Sequence, residues 1–122
     1  MKLLTTVLGA IPVCVVAVSP VLAETWPARP IRMVVPFSPG GSTDITARVL
    51  AEGLRPMLGQ TVLIDNRPGA AGNIAAELVA KATPDGYTFL VSTATLAANV
   101  SLYKSLRYDF VRDFTHVSQT FS

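Results

Sequence analysis

The amino-acid sequence predicts an α/β fold, a βαβαβ unit on a parallel sheet, and three of its features carry that prediction. Short apolar runs at residues 31–35, 62–64 and 87–91 have the length and composition of strands covered on both faces. The stretches between them, 42–58 and 73–82, repeat apolar residues every three or four positions, as amphipathic helices do. Glycine-rich segments at 36–44 and 66–73 join the first two strands to those helices. Strand–helix–strand crossovers are right-handed, which makes successive strands parallel.

The elements follow in order. Trp26 to Pro30 is an extended lead-in, because each proline pushes its predecessor towards extended geometry. In the first strand only Arg32 is polar. The first helix should take Gly41 or Ser42 as its N-cap and run to about Leu58. Ile45, Val49, Leu50, Leu54, Met57 and Leu58 are expected on its inner face, with Arg48, Glu52 and Arg55 on the other. Asp44 and Arg48 form a favourably oriented i,i+4 pair. Pro56 removes a hydrogen bond from the last turn, so a kink or an early end is expected there, and Gly59 suits the closing position. The second strand ends in Asp65 and Asn66. The second helix, 73–82, should turn Ile74, Leu78, Val79 and Ala82 inward, and Pro84, Asp85 and Gly86 make a turn. Beyond Ser92 the pattern weakens. Residues 95–99 can open a helix, 108–114 read as a loop with one helical turn, and the alternation from Thr115 reads as a strand. That strand stops at Ser122 with no turn or cap, so the chain is expected to be the N-terminal part of something longer.

Residues 1–23 read separately. Lys2 is followed by an almost wholly apolar run from Leu3 to Val18, and Val21, Leu22 and Ala23 offer compact residues to a signal peptidase. This is a secretory signal, with cleavage expected between Ala23 and Glu24. Pro12 and Pro20 interrupt the run, which falls short of the ~20 apolar residues of a membrane span. The leader supplies much of the chain's positive mean hydropathy. It holds one of the ten basic residues, Lys2, and none of the eight acidic ones, so residues 24–122 are close to neutral. That excludes a nucleic-acid face and a polybasic membrane patch. Cys14, the single cysteine, also lies in the leader, which leaves the exported chain without disulfide or thiolate chemistry. A periplasmic location is expected for a chain whose ~100 remaining residues can bury a modest core.

Loops that leave parallel strands and enter helices share one edge of the sheet. Two helix N-termini with bare backbone N–H groups should therefore face one crevice. Gly40, Gly41, Gly69 and Gly72 let a ligand approach the backbone, and Ser38, Ser42, Thr43 and Asn73 add neutral donors. Arg67 is the only cation in either loop. Neither a Gly-Lys-Ser/Thr loop nor G-x-G-x-x-G is present, so a small carboxylate fits better than a nucleotide. One glycine pair at such a junction is commonly only turn geometry, whereas two in succession favour a ligand crevice. Asp44 has three readings: a first-turn acid complementing the helix dipole, an acceptor that holds the loop, or a contact for a ligand's amino group. Enzymatic patterns are missing. His116 is the lone histidine, and neither G-x-S-x-G nor H-E-x-x-H occurs. Trp26, Tyr103 and Tyr108 read as packing residues. No cofactor or metal is expected.

Three stretches carry a family resemblance: WPARPIRMVVPFSPGGSTDITARVLAEGL, LGQTVLIDNRPGAAGNIAAELVAKATPDGYT and SLYKSLRYDFVRDF. In order and spacing they resemble the extracytoplasmic solute receptors of tripartite tricarboxylate transporters, also called Bug proteins, from about Trp26 to Val117. The resemblance implies that residues 24–122 form part of lobe 1 of a periplasmic binding protein type II fold, with the second lobe absent. It implies a receptor, not an enzyme, that closes on a small carboxylate (a di- or tricarboxylate, or an amino acid) and passes it to membrane permease subunits. Carried over, the ligand-binding residues are Phe37, Ser38, Pro39, Gly40, Gly41, Ser42, Thr43 and Asp44 in the first loop. Gly69, Ala70, Ala71, Gly72 and Asn73 follow in the second, and Thr93 and Ala94 after the third strand. Val100 stands where the family commonly has proline. Ala71 and Ala75 replace frequent glycines, and Ala71 bears on the second loop's backbone shape. Two alternatives stay open: an exported α/β enzyme whose catalytic residues lie beyond this chain, and a signalling receptor that presents its ligand to a sensor. Without a second lobe, residues 24–122 are expected to bind weakly or not at all.

Overall fold

The computed structural model describes residues 25–119, so the leader with its cleavage position at Ala23 and Glu24, and the last three residues, lie outside the described residues. Strands and helices alternate: β1 (Ile31–Val35), α1 (Ser42–Leu58), β2 (Val62–Asn66), α2 (Asn73–Ala80), β3 (Thr88–Leu90) and α3 (Ala94–Leu102). A 3-10 turn, Ala70–Gly72, precedes α2. The sheet is parallel with β1 in the middle, in the order β2-β1-β3. Val35 pairs with Asn66 and Val34 with Leu90, so all three strands finish at the same edge.

β1 alternates between two cores. Ile31, Met33 and Val35 join Val62 and the α1 residues Ala47 and Ala51, flanked by Leu50, Leu54 and Leu58. The opposite face receives Val34, which is fully buried, and α2 packs there against β1 and β3. Next to them Ala76, Leu96 and Tyr108 form a second cluster with Leu90, Leu106, Phe110 and Phe114 around it. The third strand is shorter than the expected 87–91. Hydrogen bonds from Arg32 N–H to the Tyr87 carbonyl (2.8 Å) and from Val91 N–H to the Val34 carbonyl (2.9 Å) nevertheless continue its pairing with β1.

The inner face of α1 differs from the expected one. Asp44, Ala47 and Ala51 are buried, whereas Ile45, Val49 and Met57 are 56%, 68% and 80% exposed. The small alanines let the helix lie close to the sheet, and Leu50, Leu54 and Leu58 wedge in at its sides. Residue bulk had pointed correctly to Leu50, Leu54 and Leu58 and wrongly to Ile45, Val49 and Met57. Pro56 does not end the helix early: α1 continues to Leu58, and Gly59 closes it at φ 64° with its N–H on the Arg55 carbonyl. The same preference for alanine recurs in α2. Ala75 and Ala76 are buried there while Ile74 is half exposed, and the helix stops at Ala80 rather than Ala82.

α3 is longer than residues 95–99. One turn in the following segment is closed by Asp113 N–H on the Asp109 carbonyl at 3.0 Å. Residues 115–119 form no strand, since alternation without a neighbour to pair with cannot satisfy the backbone. His116 is exposed, its ring 5.8 Å from that of Phe110. The lead-in is clasped to the start of β3. Ala28 N–H donates to the Tyr87 hydroxyl at 2.8 Å, Arg29 lies 4.1 Å over the Tyr87 ring and pairs with Asp85, and Trp26 packs against the same ring.

Candidate functional site

All three helices begin at the edge where the strands end. Their N-caps are Gly41, Gly72 and Thr93, and none of the three makes a side-chain cap hydrogen bond. Each helix therefore starts, at the positive end of its dipole, with no side chain capping its backbone N–H groups, although at α2 the Gly72 and Asn73 N–H groups close onto the Gly69 and Ala70 carbonyls. The loops also touch. A Cβ added at Gly72 would lie 3.0 Å from Leu96 Cδ2 and 3.1 Å from Pro36 Cβ, so this glycine is enclosed by the first loop on one side and α3 on the other. Phe37, Ser38, Pro39, Gly41, Ser42 and Thr43 line a shallow open hollow at the start of α1. A second open hollow, beside Arg55 and Gly59, lies at the far end of that helix, away from the loops.

The first loop is held by Asp44. Its Oδ2 accepts the Gly40 N–H at 2.8 Å and Arg48 Nε at 2.9 Å, and its Oδ1 accepts Asn66 Nδ2 at 2.9 Å. Asn66 Nδ2 also donates to the Phe37 carbonyl at 3.0 Å. The Arg48 guanidinium, the Gly40 N–H and the Asn66 amide together hold the Asp44 carboxyl well below the usual carboxylate range, against its burial. Gly40 itself sits at φ 87°, the left-handed region where glycine carries no Cβ penalty. Of the three readings of Asp44, the structure displays the loop-holding acceptor.

The second loop is more contorted. Ala70 and Ala71 both have positive φ, 47° and 53°, between Gly69 at 123° and Gly72 at 88°. Alanine in that region costs roughly 1–2 kcal/mol per residue, so something must hold the turn. Asn99, 1% exposed on α3, does so: its Nδ2 donates to the Ala71 carbonyl at 2.9 Å and to Asn73 Oδ1 at 2.8 Å. The Tyr108 hydroxyl donates to the same Asn73 Oδ1 at 2.7 Å, and burial pushes its own pKa up.

The predicted residues are thus brought to one edge. Ser38, Pro39, Gly40, Gly41 and Ser42 are exposed there, and so are Gly69, Ala70, Ala71 and Ala94. Phe37, Thr43, Asn73 and Thr93 are half-buried, while Asp44 and Gly72 are buried. Thr93 Oγ1 is buried without a hydrogen-bond partner among the described residues. Arg67 is engaged: its Nε pairs with Asp65 at 2.9 Å, and Arg32 binds the same carboxylate. Burial pushes the Asp65 carboxyl up, but hydrogen bonds from Arg32 and Arg67 outweigh it and leave it lowered. Sequence reasoning missed Asn66, Asn99 and Tyr108 as loop-holding residues. An asparagine closing a strand was a faint signal for the first, whereas the other two act across long separations. Among the described residues no group of three or more His, Cys, Asp or Glu could hold a metal ion, and no helix is long and apolar enough to cross a membrane.

Comparison with known proteins agrees with this architecture. Residues 46–121 match the family model described as "Tripartite tricarboxylate transporter family receptor". Protein BugT of Bordetella pertussis is 52% identical over 102 residues, which are 82% of this chain and 31% of BugT. Among solved structures, MatC of Rhodopseudomonas palustris with bound malate superimposes with a TM-score of 0.68 at 40% identity, over 74% of this chain and 31% of MatC. The periplasmic binding protein BugD gives a TM-score of 0.52 at 55% identity, over 53% of this chain and 22% of BugD. The chain spans about a third of the length of BugT and of MatC. With the βαβαβ unit, its glycine-rich loops and its sequence all agreeing, this chain belongs to the tripartite tricarboxylate transporter receptor family.

Proposed function

We propose that the protein is an exported, periplasmic solute receptor that binds a small carboxylate and delivers it to the membrane permease of a tripartite tricarboxylate-type transporter. The observation that carries this reading is the meeting of three uncapped helix N-termini on one sheet edge. That malate is bound by MatC, a relative superimposable over most of this chain, supports a carboxylate as the anion. The ligand oxygens would accept N–H groups from the first loop (Ser38, Gly41, Ser42 and Thr43), the second loop (Gly69 to Ala71) and the start of α3 (Thr93 and Ala94), since the Gly40, Gly72 and Asn73 N–H groups are taken up by Asp44, Gly69 and Ala70. Asp44 would serve by shaping the first loop.

Magnitudes assign a role to a second lobe. A helix terminus contributes at most ~2 kcal/mol to a nearby charge, so three give roughly 6. A micromolar constant needs about 8 kcal/mol beyond the cost of association. Closure of another lobe over the rim would exclude water and strengthen each hydrogen bond. Calorimetry with malate, adipate, citrate and glutamate tests the reading. Residues 24–122 alone should bind at millimolar levels or not at all, and a two-lobed form should reach micromolar affinity for at least one of them. Absence of carboxylate binding by the two-lobed form would overturn the proposal, and micromolar binding by residues 24–122 would remove the need for a second lobe.

A further inference from the structure

Hydrogen bonding around Asn73 fixes which way round its amide stands. The Ala71 carbonyl can only accept, so the Asn99 atom 2.9 Å from it is a nitrogen. That same nitrogen lies 2.8 Å from an Asn73 side-chain atom, which must then be an oxygen. The Tyr108 hydroxyl, 2.7 Å away, donates to that oxygen as well and fills its second lone pair. Asn73, half-buried at the first position of α2 beside the second loop, is left with its Nδ2, which donates to no described residue.

We propose that Asn99 and Tyr108 are positioning residues that set the polarity of Asn73, so that the second loop presents only N–H donors to its ligand. A backbone carbonyl at one end of a three-residue chain determines the choice between donor and acceptor at the other. The crevice then favours a ligand group that is all acceptor, a carboxylate, over a carboxamide of the same shape, which carries donors of its own. This rests on the carboxylate-receptor reading and adds to it the residues that impose the preference. Neither Asn99 nor Tyr108 need touch the ligand.

The test uses the whole protein and two probes, malate and its diamide, malamide. N99D keeps the shape of the side chain but presents an acceptor to Asn73, which then turns its Nδ2 inward and its oxygen outward. Malate affinity should fall by about tenfold or more, as loss of a hydrogen bond to a charged group implies. The malate-to-malamide affinity ratio should fall with it. Y108F keeps the ring against Phe114 and the surrounding core, so it stands in should N99D fail to fold. It releases one of the two locks, and the ratio should drop by about threefold with little change in melting temperature. The Asn73 side-chain amide resonances give a readout free of ligand: they should exchange rapidly with water in the unaltered protein and become protected in N99D. An unchanged affinity ratio in Y108F, or a fully protected Asn73 amide in the unaltered protein, overturns the proposal and leaves the receptor reading standing. If the unaltered protein binds no carboxylate at all, the receptor reading fails and this proposal falls with it.

Discussion

Asn66 and Asp44 meet side chain to side chain at 2.9 Å, so the last residue of β2 fixes the first turn of α1. The same amide reaches the Phe37 carbonyl, and Arg48 approaches Asn66 Oδ1 from the other side at 3.5 Å. A buried carboxylate is costly unless its lone pairs are filled, and here they are filled by groups from the loop, the helix and the neighbouring strand.

Acid should reveal that arrangement. The Asp44 pKa is depressed on folding from its ordinary value of 3.8, so the unfolded chain takes up a proton that the folded chain refuses. The stability Asp44 contributes is complete above pH 4 and is lost as the pH falls through the depressed folded value. Denaturant titrations at neutral pH and in steps from pH 4 to pH 2 should show the unaltered protein losing stability steeply. D44N should be weaker at neutral pH and flatter below pH 4. Parallel curves would count against the assignment.

Two glycines with nearly equal φ should respond very differently to alanine. Gly40 (φ 87°) has open space where a Cβ would go, so G40A carries only the left-handed penalty of about 1–2 kcal/mol. Gly72 (φ 88°) adds close contacts with Leu96 and Pro36 to the same penalty, and G72A should cost roughly 2–4 kcal/mol. Urea unfolding of both variants checks the order.

Ala71 and Ala75 predict opposite signs for one kind of change. A71G relieves a residue at φ 53° and should raise the melting temperature by roughly 2–5 °C once glycine's extra unfolded-state entropy is subtracted. A75G places glycine inside α2 at a fully buried position, and it should lose about 1 kcal/mol or more. Calorimetric melting of the pair decides the matter.

Y87F removes the hydroxyl that accepts the Ala28 N–H while leaving the ring under Arg29. The clasp on the lead-in should loosen by about 0.5–1.5 kcal/mol. Limited proteolysis should then cut within residues 25–30 sooner than in the unaltered protein, with the rest of the fold equally resistant.

The alternation of strands and helices was legible because its signals are local: apolar runs, turn residues and the glycines at Gly41, Gly59, Gly69 and Gly72. The shared edge followed from topology alone. The inner face of α1 was half legible: Leu50, Leu54 and Leu58 do turn inward, but closeness to the sheet selects the small Ala47 and Ala51 over the bulkier Ile45 and Val49. Asn99 and Tyr108 stayed hidden because they act on residues 26 and 35 positions away. Nothing in a helical stretch of alanine, leucine and valine marks one asparagine as the support of a distant turn. Arg67, the only cation in either loop, is already occupied by Asp65 two residues earlier.

Thr93 has the extended backbone of a good N-cap, yet among the described residues its hydroxyl closes no bond, and α1 and α2 start on glycines with no side chain to offer. Ordinary selection for robustness would place a serine or aspartate at each such end, where it contributes ~1 kcal/mol. Forgoing all three leaves a scaffold less sturdy than its composition allows. A visiting anion would supply the missing partners, making cargo and architecture interdependent.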